Sequence, residues 1–150
     1  MNTPHELINP DTLAPAIGFA HVVRAGPGST IWLGGQTALS KDNEIIGTTF
    51  VEQFDVALGN VRLALEAAGA KPEHLVQMQL FVTDAEAYRA SRHELGASYR
   101  KHLGRHYPAM ALFEVQGLFD PKALIEIMGI AVVPAVPEEA KTDSTARHDA

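Results

Sequence analysis

The 150-residue chain has no cysteine, which excludes disulfides, thiolate metal ligands and a cysteine nucleophile. It also lacks any run of ~18 uncharged apolar residues, the length that a membrane-spanning helix needs. The longest apolar stretch, Ala123–Val133, is interrupted by Glu126 and ends at Pro134. Basic residues are the scarcer sign, 12 against 18 acidic, for a net charge of −6. That balance argues against a broad phosphate-binding surface and makes nucleic acid a poor partner. Aromatic residues are only 7%, and no stripe of them alternates with basic residues in the manner that stacks nucleobases. No GxSxG, GxGxxG, GK[ST] or HExxH pattern occurs, so serine-hydrolase, phosphate-loop and zincin readings have no support. The opening MNTPHELINPDT puts acids and prolines where a signal peptide needs a basic start and an apolar run, and the expectation is a cytoplasmic protein.

What is present reads as one globular domain. Hydrophobic residues are 46% and charged residues 20%, and a chain of this length buries roughly 68–70% of its unfolded surface. Residues 1–15, with three prolines, read as a loose N-terminal extension, and 134–150 (PAVPEEAKTDSTARHDA) as a mobile tail. The domain is expected over 16–133.

Phe19–Ala25 and Thr30–Gly34 read as strands around the turn cluster Gly26-Pro27-Gly28-Ser29, and Glu44–Ile46 as a short strand. Val51, Phe54, Leu58, Val61, Leu65 and Ala68 then recur at helical spacing, with Thr49 and Glu52 as a capping box and Gly69 as the stop. His74–Val82 alternates with a period of two: Val76, Met78, Leu80 and Val82 face one way, and Leu75, Gln77, Gln79 and Phe81 the other. Asp84 can cap a second helix running to about His102. Two strands follow, Ala109–Gly117 and Ala123–Val133. The order predicts an α+β fold, a mixed sheet with two helices on one face. Its other face is expected to carry Phe81, Met110, Leu112 and Met128, an apolar patch that calls for another subunit.

His102 and His106 are four apart, but Gly104 lies between them and no glutamate completes a metal pattern, so exposed helix-end histidines are the better reading. Glu114 and Glu126 each sit mid-strand in an apolar run, where a buried charge costs several kcal/mol unless paired or hydrogen-bonded. Each fits either a structural bond at a subunit contact or a carboxylate that holds water for chemistry. Arg92, on the polar face of the second helix, is either solvated or a ligand contact.

Five ordered segments, IWLGGQTAL, QFDVALGNVRLALEAAGA, LVQMQLFVTDAEAY, YPAMALFEV and LIEIMGIAV, resemble the Rid superfamily, also called YjgF/YER057c/UK114, over residues 16–133. The resemblance implies a chorismate-mutase-like fold and a homotrimer with a central barrel and ligand clefts between subunits. It implies hydrolysis of reactive enamines or imines, with no metal or cofactor and a small metabolite as substrate. The family's active deaminases carry an arginine after Pro-Ala, where this chain has Met110; Leu112 stands where several members have cysteine, and Phe19 is only a neighbour in register of the family tyrosine. The family glutamate matches Glu126, and the Gly-Gln pair matches Gly35 and Gln36. The resemblance therefore implies Glu126 as catalytic group, and Gly35, Gln36, Met110 and Leu112 around the ligand; the strand reading adds Glu114 and Met128 as candidate ligand contacts. Arg92 is placed to compensate for the missing arginine. A non-catalytic trimeric module holding a metabolite or a protein partner is the alternative.

Overall fold

A computed structural model describes residues 2–137. Its longest helix forms where the sequence pattern places it. Helix α1 (Phe50–Ala67) starts at Thr49, whose hydroxyl accepts from the Glu52 amide (3.3 Å) while the Glu52 carboxylate accepts from the Thr49 amide (3.0 Å). Phe54, Leu58, Val61 and Leu65 are buried, and the chain leaves the helix through Gly69 at φ +73°.

The other elements, in chain order, are β1 (Glu6–Ile8), β2 (Val22–Arg24), β3 (Gly28–Gln36), β4 (Leu75–Val82), α2 (Ala85–Ala90), α3 (Arg92–Leu103), β5 (Ala109–Glu114) and β6 (Ile125–Pro134). Four strands form one mixed sheet in the order β3-β6-β4-β5. Only β4 and β5 run parallel, and the α2–α3 pair supplies the crossover that parallel strands require. Helix α1 packs on β3, β6 and α3, so the helices cover one face and the core lies between them and Met78, Leu80, Val82, Ile125 and Ile127. Buried Gln53 ties the loops at this end together: its amide donates to the carbonyls of Gly47 (3.1 Å) and Lys122 (2.9 Å), and its oxygen accepts from Leu124 N (2.8 Å).

Several expectations are corrected. The N-terminal segment is anchored: β1 pairs with β2, Thr3 donates to Glu73 O (2.7 Å), and buried His5 donates to His74 O (3.2 Å). The strand expected at Phe19–Ala25 therefore pairs with the N-terminus rather than with β3. The expected tail boundary also shifts, because Pro134 still pairs with Gly28, and Ala135 N donates to Pro27 O (3.0 Å); residues 138–150 lie outside the described residues. Glu44–Ile46 makes only a single bridge, between Leu39 and Ile45. The second helix is two helices, broken at Ser91. A bulge at Val76 turns Leu75 into the core and leaves Val76 half-buried.

Registers also settle the faces. Met110 pairs with Met78 and Leu112 with Leu80, so both lie on the helix-covered face, not with Phe81 and Met128 as expected. The open face instead carries Trp32, Gln77, Gln79, Phe81, Phe113, Glu126, Met128 and Ile130, with Phe81 and Phe113 stacked at 5.4 Å. Trp32 is 75% exposed there.

The paired histidines part company. His102 Nε2 meets Asp55 Oδ1 at 3.0 Å, whereas buried His106 donates from Nε2 to Leu75 O at 2.7 Å. Burial holds the His106 pKa below its ordinary 6.5, with the Leu75 carbonyl pulling the other way. The unfolded chain then takes up the proton first, so stability is complete above pH 6.5 and falls as the pH drops below it. The urea midpoint should fall between about pH 7.5 and about pH 5.5, and His106→Gln should flatten that dependence. An unchanged slope in the variant contradicts this role.

Candidate functional site

The residues singled out in the sequence separate into two groups. The first surrounds Glu126. Beta bulging between Leu33 and Gln36 brings Gly35 beneath the Glu126 side chain. A Cβ at Gly35 would lie 2.7 Å from Glu126 Cδ, so this approach requires glycine. Glu126 is half-buried and makes no hydrogen bond or ion pair among the described residues. Its cross-strand neighbour is Phe81, and Met128 lies two residues along on the same face. Beside it, Trp32, Gln77, Gln79, Met128 and Ile130 line a concavity of about 490 Å³. Gln36 leans the other way: its amide donates to Gly34 O (3.3 Å), and it lines a groove with Gly35, Asn60 and Ala64. Asn60 holds that groove's rim by donating to the carbonyls of Thr37 and Leu39, each at 2.9 Å.

The second group lies at the β5 edge. Met110, Ala111 and Leu112, with Ile17, Gly18, Phe19, Leu80 and Tyr88, enclose a concavity of about 210 Å³. Val115 N donates to Val82 O (2.9 Å), so the odd residues of β5 turn their backbone groups towards β4. Met110 and Leu112 accordingly present theirs at the sheet's open edge. The first edge carbonyl, at Pro108, accepts from Ala20 N (3.0 Å), which brings the Phe19 segment alongside.

Glu114, expected among the ligand contacts, is engaged elsewhere. Its Oε2 accepts from Ala85 N at 2.7 Å and so caps α2, while Asp84 accepts from Ala87 N at 3.0 Å. Arg92 is exposed at the start of α3 and forms no ion pair among the described residues, whereas Arg89 is tied to Glu86 at 3.0 Å.

Within one chain the two groups do not meet. Glu126 and Met110 sit on opposite faces, on strands separated by β4, and Met110 is level with Gly129, three residues along β6 from Glu126. Sequence reasoning did not single out Tyr88 as a candidate. Phe50 and Phe54 pack against its ring edge-to-face, at 6.2 and 6.3 Å. The signal available was its hydroxyl, which needs a partner wherever the ring is buried.

A family model described as Endoribonuclease L-PSP matches residues 10–133. A crystal structure of YyfB from Yersinia pestis, a protein of unknown function of the conserved Rid family, superimposes with a TM-score of 0.78 at 30% identity, covering 89% of this chain and all of that one. A Mycobacterium tuberculosis member of the YjgF/YER057c/UK114 family matches at 30% identity and a TM-score of 0.57, covering 78% of this chain and 88% of its own. Protein HMF1 of Saccharomyces cerevisiae is 23% identical over 105 residues, 70% of this chain and 77% of its own.

Two glycine substitutions separate a site contact from a structural one. In Gly35→Ala the new methyl meets the mobile end of Glu126, so stability should change by no more than about 1 kcal/mol while the carboxylate is displaced. In Gly129→Ala it meets the Gln77 carbonyl oxygen, 2.8 Å away, and should cost about 2 kcal/mol or more. Urea unfolding of both checks this; a Gly35→Ala loss equal to that of Gly129→Ala contradicts it.

Proposed function

Because the chain belongs to the Endoribonuclease L-PSP family, the Rid or YjgF/YER057c/UK114 proteins, we propose that it hydrolyses a reactive enamine or imine at a cleft shared between copies of itself in a homotrimer. The observation that carries this reading is the Glu126 carboxylate, unpaired over Gly35 on a sheet face that is open and largely apolar. Such a face is unusual on a lone subunit. Three copies closing their open faces into a barrel bury it. The Glu126 group of one copy can then lie against the β5 edge of the next.

The chemistry needs no more than placement and proton transfer. An enamine first takes a proton from solvent at carbon to become the iminium ion. Water adds to its carbon as Glu126 accepts one water proton, which gives a neutral carbinolamine. The carboxyl group returns that proton to the carbinolamine nitrogen, and as ammonia leaves the hydroxyl gives up its proton to the freed carboxylate and the carbon becomes a carbonyl. Backbone groups of Gly35 and Leu112 orient the ligand, and Met110 and Met128 form its apolar wall. Gln36 stands at the rim of the glycine turn.

Met110 sets the departure from the usual substrate. It offers no donor to a carboxylate, and a charge-assisted hydrogen bond contributes about 1.5–3 kcal/mol, a bidentate pair more. A small 2-imino acid therefore loses about one to three decades of binding relative to a site with arginine. The same substitution favours a second reading, a module that holds a metabolite or a protein partner without turning it over. Ribonuclease chemistry, which the family description names, has weaker support here, because the open face pairs Glu126 with glutamines and apolar groups and carries no lysine or arginine among the described residues.

The test is decay of 2-iminopropionate generated in situ, with and without the purified protein. Slow enzymatic decay is expected, abolished in Glu126→Gln and raised at least tenfold in Met110→Arg. Decay at the buffer rate with imines of every size supports the binding module instead. Full activity in Glu126→Gln rejects the role assigned to that carboxylate.

A further inference from the structure

The β5-edge concavity holds one polar side chain. Ile17, Phe19, Leu80, Met110 and Leu112 are apolar, and Tyr88 brings a hydroxyl. That hydroxyl has no hydrogen-bond partner among the described residues. No side-chain polar atom among them is both buried and unpartnered, so the Tyr88 oxygen must be reachable from outside. Its ring is fixed by the two edge-to-face contacts with Phe50 and Phe54, which gives the oxygen a defined position. Burial raises the phenol pKa, with the Arg92 charge pulling it down, so Tyr88 remains a neutral donor and Arg92 lies near enough to act on it. Arg92 is also the cation on this surface that is left unpaired among the described residues, since Glu86 takes Arg89.

We infer that this concavity selects a ligand whose bulky apolar or aromatic substituent sits among Phe19, Met110 and Leu112, and whose anionic group is held by Arg92 with the Tyr88 hydroxyl. The inference rests on the reading of the cleft given above and narrows its substrate class. The concavity on one chain, about 210 Å³, has room for a phenyl or isobutyl group, and a methyl group leaves most of it unfilled. Filling an apolar pocket with those extra carbons removes apolar surface from water at both partners. A carboxylate pressed against Met110 gains nothing, whereas one turned towards Arg92 gains a charge-assisted bond.

Binding of 2-oxo acids, the products of such a reaction, tests the pocket without requiring turnover. Titration calorimetry on the full-length protein should find phenylpyruvate at least tenfold tighter than pyruvate. Arg92→Gln should weaken phenylpyruvate about tenfold and Tyr88→Phe about threefold, with circular dichroism and melting temperature unchanged. Pyruvate bound as tightly as phenylpyruvate, no binding of either acid, or an unaltered affinity in Arg92→Gln overturns the inference. Phenylpyruvate binding with the expected losses, together with no hydrolysis of any imine, supports the pocket and overturns the deaminase reading alone.

Discussion

The parallel pairing of β4 with β5 is the constraint from which the site follows. It places β5 at the sheet edge and, through the register Met78–Met110 and Leu80–Leu112, turns Met110 and Leu112 towards the helices. A shift of one residue would send both to the other face. The pairing demands the α2–α3 crossover, which brings Tyr88 over the same edge, with Arg92 four residues further along the chain. Glu114 closes the arrangement by capping α2 from the end of β5. The pocket's shape is thus a consequence of how one strand is paired.

The second consequence is a sheet with two unequal faces. The helix side is filled by Leu58, Leu65, Met78, Ile125 and Ile127, all essentially without solvent contact. The other side leaves Trp32, Phe81, Phe113 and Met128 without a covering layer, with Glu126 among them. Burying a Phe- or Met-sized side chain gains about 1.5–3 kcal/mol, so four such groups favour association strongly even after its entropic cost. Under the proposed association, packing that covers this face would also leave Glu126 facing the guest.

Much of the fold was legible in the sequence because its signals are local. The capping box at Thr49, the helical stripe of α1 and the alternation of β6 each depend on neighbours within a turn or two. What escaped was set by distant pairing. Proline-rich residues 1–15 looked loose, yet β1 forms because β2 is there to receive it. The bulge at Val76 and the face of Met110 depend on cross-strand register, which periodicity within one strand does not contain. For the candidate site, five segment resemblances pointed to Glu126, Gly35 and Met110, while the backbone bond that Glu114 makes could not be located from sequence, because its partner, Ala85, lies 29 positions away. Tyr88 was hidden by being apolar in all but one atom.

Glu126 and Met110 lie on opposite faces of one sheet, so the account stands on a second copy of the chain bringing them together. Light scattering of the purified protein at micromolar concentration measures this directly. A mass of about three chains is the result expected. A monomer across the accessible concentration range contradicts the shared cleft and the chemistry assigned to it.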